Sequence, residues 1–183
     1  RRFLFNGPPM RDDFLSFAAG RFEPTGGSSL GLARLASGLG GVTLTTAHAA
    51  VLASTFAQKG VYFPPYLIAD IRNLLDIGFH RHQPRPRTLL ADDLNFLSVR
   101  QAMAAVIEDE KGTGRRLLDL PVRPAVKTGT TANPAGGLDA VIAGFLPADA
   151  PRYAFALRLE GGGRADIQGA AFLRELLPLL DLE

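Results

Sequence analysis

The sequence predicts an α+β fold, in which helices come first, an antiparallel sheet follows, and a final helix closes the domain. Two observations support this prediction. Apolar residues recur at helical spacing in the middle of the chain, whereas the last third contains three short apolar runs separated by turn sequences. Connections this short join antiparallel neighbours, because parallel strands need a longer crossover. With 183 residues, the chain is long enough to bury one core.

The composition is that of a folded protein. Hydrophobic residues make up 46% and charged residues 21% of the chain, which argues against disorder. Twenty Lys and Arg oppose eighteen Asp and Glu, and no basic stripe is interleaved with aromatic residues, so we expect no nucleic-acid partner. The chain has no cysteine, which excludes disulfides, thiolate metal sites and cysteine nucleophiles but leaves the cellular compartment open.

Two central helices are predicted. Residues 44–59 place apolar side chains at helical spacing, with Thr45 or Thr46 as the N-cap and Gly60 as the stop. Because this segment has no internal charge, we expect it to be largely buried. Residues 92–110 form the strongest amphipathic pattern and begin with an acidic pair, which suits the start of a helix.

Less regular segments precede these helices or lie between them. Short helical turns are predicted at residues 11–19 and 29–37. Two adjacent prolines limit residues 61–68 to an edge strand at most, and the segment that follows, up to residue 88, is predicted as an exposed excursion.

The last third of the chain predicts the sheet and the closing helix. The middle run of the three is apolar on both faces, so helices should cover both faces of the sheet. A helix at residues 167–180 supplies one of these covers. The three predicted strands are residues 125–131, 138–146 and 152–160.

Lys127, Thr128, Gly129 and Thr130 lie together on the first predicted strand. The ammonium of Lys127 supplies positive charge, and the two hydroxyls can donate hydrogen bonds to a carboxylate. Gly129 has no side chain, so a ligand backbone can approach the strand edge. An extended peptide with a carboxylate end would then bind along the strand as an added neighbour. Taken alone, a lysine flanked by threonines is also typical of a solvated strand edge.

This tetrapeptide resembles the K-T-G motif of the penicillin-binding proteins, whose transpeptidase domain belongs with the β-lactamases among the serine acyltransferases. The similarity continues in the family's order through a glycine-rich stretch at residues 38–47, a helix and glycine turn at residues 103–115, and the strand at residues 139–147. It is strongest over residues 38–160. The resemblance implies that the chain, residues 1–183, is the C-terminal portion of a transpeptidase domain.

Two motifs of that family do not occur in the sequence. An S-x-x-K motif needs a serine three residues before a lysine, but the three lysines are preceded at that distance by Phe56, Glu108 and Pro124. No serine is followed two positions later by asparagine, so S-x-N is missing as well. We therefore expect the nucleophilic serine to belong to sequence outside this chain, and the chain alone to be inactive.

The resemblance implies a D,D-transpeptidase that cross-links peptidoglycan. A serine would attack the D-Ala-D-Ala end of a stem peptide, release the last D-Ala and pass the acyl group to an amine, and penicillins would acylate the same serine. Lys127, Thr128 and Thr130 would hold the terminal carboxylate, and the Thr130 N–H would be one oxyanion-hole donor. The implied partners are the stem peptide, β-lactams, and the missing N-terminal part or a second chain. The implied location is extracytoplasmic, in the periplasm or at the cell surface, anchored to the membrane through other sequence.

Other interpretations stay open at this point. A non-catalytic module could keep D-Ala-D-Ala recognition and lack the chemistry, and a β-lactamase-like hydrolase would need the same absent serine. No cofactor or metal is expected. His80 and His82 stand among prolines and arginines and are predicted in an exposed loop, and His48, within an apolar helix, is predicted as a hydrogen-bonded core histidine rather than a base.

Overall fold

The computed structural model describes residues 2–3, 20–23, 27–38, 40–66, 69–81, 83–88 and 93–180. The helical turn predicted at residues 11–19 lies outside these ranges. In chain order the strands are β1 (Arg2–Phe3), β2 (Gly20–Phe22), β3 (Val42–Thr43), β4 (Val61–Tyr62), β5 (Asp70–Arg72), β6 (Gly78–Arg81), β7 (Arg87–Thr88), β8 (Ala125–Ala132), β9 (Leu138–Leu146) and β10 (Tyr153–Leu159). The α-helices are α1 (Ser29–Ala36), α2 (Thr46–Ala57), α3 (Asp93–Glu108) and α4 (Ala170–Leu176).

The chain divides into two units, and the first consists of residues 1–48 and 63–86. It contains the antiparallel sheet β1-β2-β3, the hairpin β5-β6 and helix α1, which confirms the short helix predicted at residues 29–37. The excursion predicted there is exposed, as expected, and in addition it forms a hairpin. Its tip is ordered by the Asn73 side-chain oxygen, which accepts hydrogen bonds from the N–H groups of Leu75 and Ile77, both at 2.9 Å.

Helix α2 begins in the first unit and ends in the second. Thr45 is its N-cap, since the Thr45 hydroxyl accepts a hydrogen bond from the His48 N–H at 3.2 Å. The helix ends before Gly60, whose φ of +89° favours glycine. The predicted burial is wrong in extent. Only Ala53, Thr55 and Ala57 are buried, and the other residues of the helix are partly buried or exposed, Leu52 among the exposed ones.

The second unit, residues 49–62 and 87–183, contains the main sheet and most of the helical residues. Helix α3 confirms the amphipathic prediction for residues 92–110 and ends in a tight turn. A Cβ at Gly112 would lie 2.2 Å from the Val106 carbonyl oxygen, so this turn accepts only glycine. The N–H of Gly114 then donates to the same Val106 oxygen at 2.9 Å. Among the described helices, none combines the length and apolar character needed to cross a bilayer.

The main sheet has the order β10-β9-β8, with both pairs antiparallel, and its strands match the prediction within one residue at each end. Lys127 pairs with Ala143, and Gly129 with Val141. The Asn133 side chain closes the β8-β9 turn by accepting from the N–H groups of Ala135 and Gly137.

Buried side chains cover both faces of this sheet, as predicted from the apolar middle strand. Successive residues of a strand point to opposite faces, so Ala125 and Val126 belong to different cores. Val126 and Ile142 pack with Ile107 of α3 and with the closing helix, whereas Ala125 and Phe145 pack with residues of α2 and α3. The partners from the closing helix are Ala165, Ala170, Leu173 and Leu177, and those on the other face are Ala57 and Met103.

The closing helix begins two residues before the predicted start at residue 167. A five-residue π-helical turn (Ala165–Gly169) leads into α4, and a 3-10 turn (Leu177–Leu179) ends it. The start of this helix lies beside the edge strand β8, since the Ala165 N–H donates to the Thr130 hydroxyl.

Candidate functional site

Strand β8 changes character along its length. Ala125 and Val126 are fully buried, whereas Lys127, Gly129 and Thr130 are exposed. The strand is also at the edge of the main sheet, with β9 as its neighbour. The lysine is therefore not part of a core, and the second half of the strand is accessible to a ligand.

A pocket of about 500 Å³ lies beside this accessible half of β8. It brings together all four residues that the sequence singled out and adds residues from the glycine turn after α3 and from the start of the closing helix. The lining residues are Thr113, Lys127, Thr128, Gly129, Thr130, Arg164, Ala165 and Asp166.

Hydrogen bonds fix the two strand hydroxyls at this pocket. The Thr128 and Thr113 hydroxyl oxygens are 2.6 Å apart, so one hydroxyl donates to the other. The Thr130 hydroxyl accepts from the Ala165 N–H at 3.0 Å. Because that bond uses the hydroxyl only as an acceptor, the Thr130 O–H proton is left to donate to a ligand.

Lys127 and Gly129 define the rest of the strand's surface. The Lys127 ammonium donates to the Thr128 carbonyl oxygen, which keeps the positive charge close to the strand. A Cβ at Gly129 would meet nothing within 4 Å. The chain has therefore left open space over Gly129, where a ligand can approach the backbone.

Arg164 and Asp166 form an ion pair at the same pocket. Two parallel hydrogen bonds join them, from Arg164 Nε to Asp166 Oδ1 at 2.9 Å and from Nη2 to Oδ2 at 2.6 Å. These bonds lower the pKa of Asp166, because they stabilise its carboxylate form. Arg164 is 59% exposed at its side chain and Asp166 27%. The pair is thus accessible from solvent.

Sequence reasoning missed three of these polar residues. The segment containing Thr113 was predicted as a turn, which it is, but nothing local indicates that it turns back against β8. Arg164 and Asp166 lie between the strand predicted at residues 152–160 and the helix predicted at residues 167–180. The pairing of an arginine with an acid two positions later, at the start of a helix, is the signal that could have drawn attention to them.

No histidine is among the described residues that line this pocket. The His48 Nδ1 lies 2.6 Å from the Thr45 hydroxyl, which agrees with the predicted hydrogen bond, but the residue is only partly buried and is not a core histidine. His80 lies in strand β6 and not in the predicted loop, and the side chain of His80 and all of His82 fall outside the description. Within the described residues, no group of three or more His, Asp or Glu side chains could hold a metal ion.

Comparison with models of protein families shows which family the chain belongs to. The family model of the penicillin-binding protein transpeptidase domain matches residues 12–177. The chain belongs to this family. The family suggested by the sequence is therefore confirmed over most of the chain, and the α+β fold matches that of solved penicillin-binding proteins.

Solved transpeptidase structures share the fold. PBPA from Mycobacterium tuberculosis has 23% identity and a TM-score of 0.71 over 86% of this chain and 38% of its own. Its penicillin G acyl-enzyme complex has 22% identity and a TM-score of 0.72 over 91% and 39%. The D,D-transpeptidase domain of a peptidoglycan glycosyltransferase from Eggerthella lenta has 27% identity and a TM-score of 0.61 over 77% and 34%. The chain thus spans less than half the length of these proteins. A comparison with curated proteins found no match.

Proposed function

We propose that this chain is the carboxylate-recognising part of a D,D-transpeptidase domain and that its pocket binds the D-Ala-D-Ala end of a peptidoglycan stem peptide. The observation that carries the proposal is the pocket along the accessible half of β8, lined by Lys127, Thr128, Gly129 and Thr130, in a chain of the penicillin-binding family. Penicillins and other β-lactams would bind at the same place, and one solved structure of similar fold is a penicillin G acyl-enzyme complex.

The pocket's chemistry suits a peptide that ends in a carboxylate. Lys127 supplies a positive charge, and the hydroxyls of Thr128 and Thr130 are already oriented by Thr113 and the Ala165 N–H. Such preorganisation strengthens binding, because the ligand does not have to order the side chains. The peptide backbone would lie along the outer edge of β8, with which no strand pairs in the part of the chain described here.

In the complete domain, a serine would attack the carbonyl carbon between the two D-Ala residues. The terminal D-Ala would leave as a free amine, and the acyl group would pass to an amine of a neighbouring stem peptide. The Thr130 N–H would be one of two oxyanion-hole donors, worth about 3 kcal/mol of transition-state stabilisation. Since the sequence has no S-x-x-K, we propose that the serine comes from another segment or chain, and that the site works outside the cytoplasm, where stem peptides are cross-linked.

Calorimetry with an N-acetylated peptide that ends in D-Ala-D-Ala tests the recognition step. We expect saturable binding that weakens about tenfold with Lys127→Ala, because a charge-assisted hydrogen bond is lost. The same peptide with a C-terminal amide should bind weakly to both proteins. Arg174→Ala is the matched control, because it removes an exposed positive charge that does not line the pocket. Absence of binding, or equal binding of acid and amide, would contradict the proposal.

Labelling with a fluorescent penicillin tests whether the nucleophilic serine is supplied by sequence outside this chain. We expect no covalent label on the 183-residue chain and labelling when a transpeptidase segment with S-x-x-K is supplied. Label on the chain alone would reveal a nucleophile that the sequence does not display. Reversible D-Ala-D-Ala binding, with no labelling under either condition, would favour a non-catalytic binding module over a transpeptidase.

A further inference from the structure

Arg164 and Asp166 are the charged residues of the pocket that the K-T-G strand does not supply. They come from the start of the closing helix and line the same space as Lys127. The contact between them is bidentate, as the distances above show, and it uses the Nε and Nη2 edge of the guanidinium. Nη1 makes no hydrogen bond within the part of the chain that the structure describes. The guanidinium therefore retains a free N–H edge at the pocket.

The geometry suits an arginine that is held in place to receive an anion. A free arginine side chain loses much rotamer freedom on binding, but one that is fixed by a carboxylate has already lost it. The Ala165 N–H bond to Thr130 ties the residue between Arg164 and Asp166 directly to β8. The pair is thus anchored on the strand whose other residues would face the ligand.

Geometry and position separate this pair from the contact of Arg158 with Asp139 in the same unit, where both guanidinium donors bond to one carboxylate oxygen, Asp139 Oδ2. Arg158 donates to Asp139 from Nε at 3.2 Å and from Nη2 at 2.8 Å, but Asp139 is almost fully buried and also accepts from the Asn133 side chain and the Gly161 N–H. That pair joins turns and strands and does not line the pocket. Asp166, in contrast, has Arg164 as its side-chain partner and stays partly exposed.

We propose that Arg164 is a second cationic contact for the ligand carboxylate, beside Lys127, and that Asp166 is the positioning residue that holds its guanidinium at the pocket. The inference rests on the proposed function, because it assigns two more residues to the same site. A planar guanidinium can receive a carboxylate through two parallel N–H···O bonds, which an ammonium cannot do. The pocket would accordingly prefer a ligand with a free terminal carboxylate over its amide.

The experiment compares the acid and amide forms of the same N-acetylated D-Ala-D-Ala peptide on the full 183-residue chain. With Arg164→Ala, we expect affinity for the acid to fall about tenfold and affinity for the amide to change by less than about twofold. Arg164→Lys should lie between wild type and Arg164→Ala. Arg174→Ala, which breaks an exposed pair elsewhere, should leave both affinities unchanged. Thermal unfolding should differ little among these proteins, because exposed ion pairs contribute little to stability.

The double variant Arg164→Ala with Asp166→Asn tests the roles of the two residues. Arg164→Ala leaves the Asp166 carboxylate unpaired at the pocket, where it repels a ligand carboxylate. Removing that charge should recover part of the acid affinity and leave the double variant weaker than wild type. Full recovery of the acid affinity would contradict direct contact between Arg164 and the ligand. In that case the only role of Arg164 would be to neutralise the charge of Asp166.

The two proposals can fail separately. If the wild-type chain does not prefer the acid, or if Lys127→Ala has no effect on that preference, the proposed function fails and the inference fails with it. If Lys127→Ala abolishes the preference but Arg164→Ala weakens acid and amide equally or not at all, carboxylate recognition stands and the assignment of Arg164 is overturned.

Discussion

The two halves of strand β8 share one backbone but differ in everything that packs against it. At its start, Ala125 and Val126 are fully buried and belong to the cores on opposite faces of the sheet. Two residues later, the strand is open, and a pocket lies beside Lys127 and Gly129. The closed half holds the strand in register, and that rigidity positions the open half for a ligand.

Glycines mark the contrast most clearly. A Cβ at Gly144, which pairs with Val126, would lie 2.2 Å from the Ala125 carbonyl oxygen. At Gly129, a Cβ would meet nothing within 4 Å. Neither glycine has the positive φ that would itself require glycine. The first is therefore required by packing, whereas the second is free of any structural constraint from its surroundings.

The largest expected effect comes from adding one methyl group at each of these positions. Gly144→Ala should destabilise the protein by about 3 kcal/mol or more or prevent folding, because backbone must move to relieve the overlap. Gly129→Ala should leave the free energy of unfolding within about 1 kcal/mol of wild type, since alanine is tolerated in strands. Denaturant unfolding of both variants measures the difference.

Gly129→Ala also has a functional consequence. Its methyl group would enter the space through which a peptide approaches the strand, so binding of the D-Ala-D-Ala peptide should weaken while stability is retained. Equal stability of the two alanine variants would contradict the division of β8 into a closed and an open half.

The next largest effect is expected in acid, where protonation of the buried Asp139 should lower the stability of the fold. Hydrogen bonds from the Asn133 side chain, the Gly161 N–H and Arg158 lower the pKa of Asp139 to about 2 from its usual 3.8. Since the folded state holds this proton less tightly than the unfolded state, the stabilisation is complete above about pH 4 and is lost as the pH falls through about 2. Asp139→Asn should lower the melting temperature by several degrees at pH 7 and flatten its decline between pH 4 and pH 2.

Calorimetric melting at a series of pH values measures both effects. Asp149→Asn is a suitable control, because Asp149 is exposed and its side chain accepts only from the neighbouring Ala150 N–H among the bonds described. If wild type and Asp139→Asn lose stability in parallel between pH 4 and pH 2, Asp139 does not make the contribution assigned to it.

Features that depend on local sequence could be predicted, whereas features that depend on the path of the chain could not. The three strands of the main sheet were predicted within one residue, because turn residues such as Asn133 act locally and the apolar run around Ile142 needs cover on both faces. The proposal that Lys127 binds an anion could also be made from the strand sequence itself. Thr113 and Arg164 could not, since they reach the pocket through the path of the chain after α3 and after β10. The burial of α2 was overestimated because lack of charge permits burial but does not require it.

The smallest expected effect concerns Thr113, which lies in the turn after α3 and contacts β8 at Thr128. Its hydroxyl bonds to that of Thr128, a residue only 7% exposed. Thr113→Val removes this bond but keeps the shape of the side chain, so it should cost about 0.5–1 kcal/mol of stability and weaken binding of the D-Ala-D-Ala peptide about two- to threefold. Thr131→Val provides the control on the same strand, because Thr131 is exposed and does not line the pocket. If both valine variants bind the peptide equally well, the Thr113 hydroxyl does not orient Thr128 for the ligand.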